Sequence, residues 1–207
     1  MAAAMSMGEQ RDTRQAILDA AIAILREHGA GALTVRSVAS AAGCSTTGVY
    51  TWFGSKNGLV EAIFVDGFHR FHDAQQAVFD ELGMDLLALA NAYREWALAN
   101  PTHYQVMFQN AVPDFEPSEQ ARAVAWSTFD QLVDAAEATR RARHIAIPVD
   151  ELAHHLWATV HGYVSLELSG MTQHDRDTSK RLFHDGVASL LGDRSISPAK
   201  DNARRTR

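Results

Sequence analysis

Apolar residues recur every three or four positions along most of this chain of 207 residues, a spacing that is typical of amphipathic helices. The first such stripe consists of Ile17, Leu18, Ala21, Ile24 and Leu25. After Phe64 the same spacing continues, with too few alternating Val and Ile positions to indicate strands. We therefore predict an all-α fold of about nine helices.

Glycine, proline and capping residues divide this pattern into separate helices. Gly29 is placed to end the first helix, and Asn100-Pro101 breaks a later one. The run VPDFEP, residues 112–117, contains two prolines and predicts a loop. Beyond residue 54, helices are expected over about 55–82, 85–100, 101–108, 118–143, 148–170 and 175–191.

The segment from Thr34 to Lys56 has the spacing of two short helices joined by a tight turn. Thr34 can cap the first helix through its hydroxyl, and Ser45 can cap the second. Gly43 stands where the chain leaves the first helix, a position that favours a left-handed backbone. The pattern predicts a helix-turn-helix over about residues 34–53.

The second helix of this motif would leave hydroxyl and aromatic side chains exposed, while Val49 and Phe53 face inward. Hydroxyls and aromatic rings can contact phosphates and base edges, and helix N-termini favour phosphate oxygens. Arg36 and Lys56 would add positive charge. A small helical hairpin inside a larger bundle, with its aromatic residues packed against neighbours, would show the same spacing. The candidate DNA-binding residues are Thr34, Arg36, Ser45, Thr46, Thr47, Gly48, Tyr50, Thr51, Trp52 and Lys56.

Residues 13–64 resemble the DNA-binding domain of the TetR (tetracycline-repressor-like) family, most specifically in the run YTWFGSKNGLV. Two later runs, ANPTHYQVMF and LWATVHGYVSLELSG, resemble a C-terminal domain class of TetR-type regulators with a Trp and His-Gly signature. The resemblance implies a three-helix DNA-binding head and a larger helical-bundle domain that binds an effector and dimerises. The predicted divisions are a flexible N-terminus (1–10), the head (11–66), the effector and dimerisation domain (67–192) and a flexible tail (193–207).

The predicted recognition helix departs from the family pattern at two positions. Thr46 stands where members often carry Lys or Arg, and Gly48 replaces a more usual Thr, Ser or Ala. Residues 11–58 hold five basic and three acidic side chains, so the head carries only a small positive charge. We expect a shallow salt dependence for each subunit, and an affinity that depends on two heads held together by a homodimer.

The formal net charge of −6 is compatible with this reading, because the acidic excess lies C-terminal to the head. The single cysteine, Cys44, excludes an internal disulfide framework and fits a reducing compartment. The N-terminal run MAAAMSMGEQR lacks the basic start and apolar core of a secretory signal, and no apolar run is long enough to span a bilayer. We therefore expect a cytoplasmic protein that does not associate with the membrane.

Aromatic residues of the predicted second domain could line an apolar cavity for a small-molecule effector, with Met107 and His161 beside them. They fit ordinary core packing as well, and His161 could instead be a core histidine bonded to a backbone carbonyl. The candidate ligand-binding residues are Trp96, Tyr104, Met107, Phe108, Trp126, Phe129, Trp157 and His161. Apolar rows on the last two helices suit a four-helix dimer interface. The candidate interface residues are Leu152, Leu156, Val160, Val164, Leu168, Leu182, Phe183, Val187 and Leu190.

These observations predict a ligand-responsive DNA-binding transcriptional regulator, acting as a repressor that leaves a palindromic operator when a small molecule binds, and needing no cofactor. One alternative is a helical interaction protein whose helix-turn-helix does not bind DNA. Another is a metalloenzyme, since Glu151-x-x-His154 resembles one arm of a di-iron site; only partial second arms occur, at Asp66, His69 and His72. We expect no enzyme, because the chain lacks a nucleophile elbow, a phosphate-binding loop and a dinucleotide fingerprint.

Overall fold

The structure is a computed structural model that describes the backbone of residues 7–192 and the side chains of residues 11–192. This part of the chain contains nine α-helices, one short 3₁₀ turn and no strand, which confirms the predicted all-α fold. The helices are α1 (Met7–His28), α2 (Val35–Ala41), α3 (Thr46–Phe53), α4 (Lys56–Leu82), α5 (Leu86–Ala99), α6 (Pro101–Phe108), α7 (Glu119–Arg143), α8 (Val149–Leu168) and α9 (Arg176–Leu190).

Most helix ends fall within one or two residues of their predicted positions, because local capping groups determine them. The Asp85 carboxylate accepts hydrogen bonds from the backbone N–H groups of Leu87 and Ala88 at 2.8 and 3.0 Å, at the start of α5. Asp175 accepts one from the Thr178 N–H at 2.8 Å, at the start of α9. Such carboxylates satisfy N–H groups that have no partner inside the helix.

The predicted flexible N-terminus, residues 1–10, overlaps the start of α1. This helix begins at Met7, so the backbone of residues 7–10 is helical. The other predicted flexible positions, residues 1–6 and 193–207, lie outside the described residues.

Two compact units divide the helices, and each contains discontinuous parts of the chain. Of the described residues, the first unit takes those up to Asp73 together with Ala99–Thr128, and the second takes Ala74–Leu98 together with those from Phe129 onward. Helix α6 and the loop after it therefore belong to the same unit as the predicted DNA-binding head. The predicted domain boundary after residue 66 stays a prediction.

Aromatic residues of α4 and of the segment after α5 build much of the core of the first unit. The Phe64 ring lies 4.8 Å from Phe68 and 5.9 Å from Phe115, measured between centroids. The Phe68 ring contacts Phe108 edge-on at 5.5 Å. Aromatic pairs at such separations add to the stability given by apolar burial. These contacts therefore stabilise the packing of α6 and of the loop after it against α4. The predicted apolar stripe of α1 is also buried, at Ile17, Leu18, Ala21, Ile24 and Leu25.

The second unit contains a buried ion pair. The Arg94 side chain is 1% exposed and that of its partner Glu167 is 10% exposed. Arg94 Nε and Nη2 donate to the two Glu167 carboxylate oxygens at 2.8 and 2.6 Å, joining α5 to α8. The guanidinium carbon also lies 5.8 Å from the centroid of the Phe183 ring on α9. The hydrogen bonds and charge of Glu167 raise the pKa of Arg94, against the opposing effect of burial, so the guanidinium stays charged.

Candidate DNA-binding head and effector region

Helix α3 is the predicted recognition helix, and its two sides differ sharply in exposure. Val49 and Phe53 are buried against the rest of the first unit. On the opposite side Tyr50 is 53% exposed, and the neighbouring residues Thr46 and Thr47 are exposed as well. This side therefore offers hydroxyl and phenol groups to a partner, as the sequence predicted.

The ends of α2 and α3 are held by side-chain caps and a left-handed glycine. The Ser37 N–H donates to the Thr34 hydroxyl at 3.0 Å, and the Thr34 N–H donates to the Ser37 hydroxyl at 3.0 Å. Gly43 has a φ of +65°, which glycine adopts without steric cost. The Ser45 hydroxyl accepts from the Gly48 N–H at 3.1 Å and so starts α3. These local bonds set the two helices of the motif without long-range contacts.

All ten predicted DNA-binding residues belong to the first unit. Eight of them are exposed: Thr34, Arg36, Ser45, Thr46, Thr47, Tyr50, Thr51 and Lys56. Gly48 and Trp52 are half-buried, and the Thr51 hydroxyl donates to the Thr47 carbonyl at 2.8 Å. Their contact with DNA stays a prediction.

Two carboxylates of α4 bond to α6 and to the loop that follows it, a role that the sequence pattern did not predict. The Glu61 carboxylate accepts from the Ser118 N–H at 2.7 Å. Asp66 Oδ2 lies 3.1 Å from Nε2 of the buried His103 on α6, and it also accepts from Arg70 Nε at 2.6 Å. Asp66 and His103 are 37 residues apart, so no local pattern relates them.

Helices α4 and α6 also approach closely beside this hydrogen bond. A Cβ atom at Gly67 would lie 2.6 Å from Met107 Sδ and 3.3 Å from His103 Cδ2. Glycine is therefore needed for this approach, unless the Met107 side chain moves.

The Asp66 network predicts a pH-dependent contribution to stability. Burial of Asp66 raises the pKa of its carboxyl, but hydrogen bonds from His103 and Arg70 and their charges outweigh it, so the pKa lies below its ordinary value. A carboxyl whose pKa is lower in the folded state stabilises the protein above its unfolded pKa, and this stability is lost as pH falls through the folded pKa.

We therefore expect Asp66→Asn to lower the free energy of unfolding by about 1–3 kcal/mol at pH 7. The deficit should shrink as the pH falls below about 4. Urea unfolding of both proteins across this pH range measures it. Asp80→Asn, at an exposed position on the same helix, is the control and should show no such trend. An Asp66→Asn deficit that is constant with pH would contradict the assignment.

The eight predicted ligand-binding residues are divided between the two units. Tyr104, Met107, Phe108 and Trp126 belong to the first, and Trp96, Phe129, Trp157 and His161 belong to the second. Tyr104, Met107 and Trp96 are buried, whereas Trp126 is 55% exposed. Their role in ligand binding stays a prediction.

Within the second unit, three of these residues and two neighbours, Tyr93 and His154, form an aromatic and imidazole cluster. Trp157 lies 5.6 Å from Phe129, 5.8 Å from His154 and 6.3 Å from His161, measured between ring centroids. The Tyr93 hydroxyl lies 3.1 Å from His161 Nδ1. Burial lowers the pKa of His161, which keeps the imidazole neutral at pH 7. Tyr93 is not among the predicted ligand-binding residues, because it lies 68 residues from His161 and no local pattern relates the two.

The predicted dimer-interface residues differ in exposure within the single chain. Leu152, Leu156, Val160, Val164, Phe183 and Val187 are buried. A side chain that is buried within one chain leaves little surface for a partner, and the role of these residues in a dimer stays a prediction. Leu168, Leu182 and Leu190 are half-buried and keep some surface available.

Two further findings bear on the alternatives. Glu151 and His154 are both exposed on α8, and no group of three or more His, Cys, Asp or Glu side chains suited to a metal ion occurs among the residues described. Within the same residues, no helix has the length and apolar character needed to cross a bilayer.

Comparison with known proteins agrees with the geometry of the head and the helical body. Residues 17–63 match the family described as bacterial regulatory proteins of the tetR family, and residues 86–190 match the tetracyclin repressor-like C-terminal domain. An HTH-type transcriptional regulator of Mycobacterium tuberculosis (strain H37Rv) is 25% identical, over 89% of this chain and 94% of its own.

Solved structures show the same fold. The regulatory protein SCO4313 superposes with a TM-score of 0.79 at 27% identity, over 91% of this chain and all of that one. NalD, the secondary repressor of the MexAB-OprM multidrug efflux pump in Pseudomonas aeruginosa, superposes with a TM-score of 0.66 at 18% identity, over 90% of this chain and 97% of its own. The matched head, with its capped helix-turn-helix, and the matched helical body together show that the chain belongs to the TetR family of transcription regulators, with an N-terminal helix-turn-helix DNA-binding domain.

Proposed function

We propose that the protein is a homodimeric repressor that binds a palindromic operator and leaves it when a small molecule binds the C-terminal domain. The observation that carries the DNA-binding part is the exposed hydroxyl and phenol side of α3, next to the exposed Arg36 and Lys56. Hydroxyls, phenols and basic side chains are the groups that contact phosphates and base edges in major-groove recognition. Such a regulator acts on chromosomal DNA, so we place it in the cytoplasm.

The effector part of the proposal is supported by the cluster around Trp157 and His161. Aromatic walls with a few polar groups are typical of small-molecule sites, and the Tyr93–His161 contact supplies polar groups beside Trp157. We propose that Trp157 and His161 contact the effector, which by linkage opposes DNA binding.

The dimer part of the proposal uses the surface that α8 and α9 keep after their own packing. Leu168, Leu182 and Leu190 are half-buried, and Leu166 on α8 is 52% exposed. Apolar surface of this kind on two adjacent helices suits a four-helix interface between two copies. A two-fold dimer would present two α3 helices to successive major grooves.

The full-length protein is expected to bind a duplex taken from the region upstream of its own gene. Footprinting should reveal two symmetric half-sites about 34–36 Å apart, measured centre to centre. An unrelated duplex of equal length is the control. A monomer on a single asymmetric half-site would contradict the dimer proposal. If no upstream duplex binds even at low salt, the interaction-protein alternative becomes the better account.

A further inference from the structure

Arg14, on α1, rests on the last residue of the predicted recognition helix. Its guanidinium carbon lies 5.3 Å from the centroid of the Phe53 ring. Phe53 is only 9% exposed and so provides a fixed surface, whereas Arg14 itself is exposed. The positive charge of Arg14 is therefore held at the C-terminal end of α3.

This contact restrains the guanidinium through its charge. A cation–π contact is an attraction between the positive charge and the ring, and a guanidinium has five N–H donors with which to bind other partners. Among residues 11–192, Arg14 forms no ion pair. Arg26 on the same helix differs, since it donates to Glu27 at 2.8 Å. No ion pair within the described residues therefore uses the charge of Arg14, which is available to a DNA phosphate.

The junction beneath Arg14 is tightly built. Gly54 ends α3 with a φ of +69°, and the Ser55 hydroxyl accepts from the Gly58 N–H at 3.0 Å to start α4. A Cβ atom at Gly58 would collide with the carbonyl oxygen of Phe53. This geometry leaves little freedom between Phe53 and the exposed Lys56, the first residue of α4.

We propose that Arg14 is a further DNA-contacting residue, which binds a phosphate of the duplex from its position on Phe53. A guanidinium whose N–H donors have no ion-pair partner among residues 11–192 is well suited to bind two phosphate oxygens. Because Phe53 already restrains it, it loses less side-chain entropy on binding than an unrestrained guanidinium would. Arg14 thus adds a basic contact at the α3–α4 junction that the uncharged recognition helix lacks. The proposal rests on DNA binding by the head, and it concerns backbone contact, which does not depend on base sequence.

The experiment measures how DNA affinity of the full-length protein depends on salt. Binding to a fluorescein-labelled duplex of random sequence is followed by anisotropy between about 50 and 200 mM KCl. Each phosphate contact contributes about −0.9 to the slope of log K against log salt concentration. Arg14→Gln should make the slope shallower by about 0.9 for each head engaged, whereas Arg14→Lys should keep the slope because it keeps the charge.

Arg26→Gln is the matched control, since it removes one exposed positive charge from the same helix at a position paired with Glu27. Arg14→Met is a second test variant. It removes the charge but keeps a long side chain, so it replaces Arg14→Gln if that variant does not fold. A wild-type slope in folded Arg14→Gln or Arg14→Met, or an equal loss in Arg26→Gln, overturns the proposal but leaves DNA binding intact. If the wild-type protein itself binds no duplex, the proposed function fails first.

Discussion

Replacing Glu167 by alanine is expected to lower the free energy of unfolding by about 3–5 kcal/mol. The substitution leaves the guanidinium of Arg94 in a site where its side chain is 1% exposed. Breaking a buried pair on one side costs far more than the pair itself contributes, because the remaining charge has lost its compensation. Glu95 lies 3.2 Å from Arg94 Nη1, but its side chain is 54% exposed and it cannot replace two short hydrogen bonds.

Urea unfolding followed by circular dichroism measures this change, at one fixed protein concentration because dimerisation would couple to folding. Arg181→Ala is the control, since it breaks the more exposed Arg181–Asp185 pair and should cost at most about 1 kcal/mol. Combining Arg94→Met with Glu167→Leu removes both charges and should recover most of the lost stability. A Glu167→Ala cost no larger than that of Arg181→Ala would show that the Arg94 site is not desolvated.

Tyr50→Ala and Trp157→Ala are expected to separate DNA binding from effector response. Tyr50 is 53% exposed on α3, and a phenol that contacts a phosphate is worth about 1.5 kcal/mol or more. With two heads engaged, Tyr50→Ala should weaken operator binding about 100-fold. Its exposed position should leave the stability almost unchanged. Anisotropy on the upstream duplex measures the affinity, and Tyr50→Phe shows how much of the loss is due to the hydroxyl.

Trp157→Ala should give the opposite result, because Trp157 lies among Phe129, His154 and His161 in the second unit. Operator affinity should stay within about threefold of the wild type, or 0.7 kcal/mol. Compounds that relieve repression by the wild-type protein are first identified with a reporter gene placed behind the upstream region. These compounds should no longer release the Trp157→Ala variant from the operator. Trp157→Phe serves as a gentler substitution if the alanine variant is unstable. Equal losses of both activities in the Tyr50 and Trp157 variants would mean that the substitutions only unfold the protein.

The helices and the head could be predicted from the sequence because their determinants are local. The caps Thr34 and Ser45 act on N–H groups three residues away, and Gly43 supplies the left-handed turn between them. The apolar stripe of α1 required only helical periodicity. These interactions connect neighbours along the chain, so a linear pattern contains them.

For the predicted interface on α8 and α9, the sequence pattern did not distinguish a dimer contact from core packing. Apolar rows on α8 and α9 indicate that a face is buried, but they do not indicate what buries it. In the structure Val160, Val164 and Phe183 are covered by the chain itself. Periodicity gives the same signal for a core and for an interface between copies, and only packing distinguishes them.

The sequence by itself determined the helical class, the helix boundaries and the helix-turn-helix, since each follows from bonds between residues a few positions apart. Only the tertiary structure decided that α6 joins the unit of the head, that Asp66 meets His103, and that Arg94 is buried with Glu167. These partners lie 37 and 73 residues apart along the chain. Their pairing depends on which helix faces pack together, and that is settled by apolar burial over a whole unit, which no short stretch of sequence encodes.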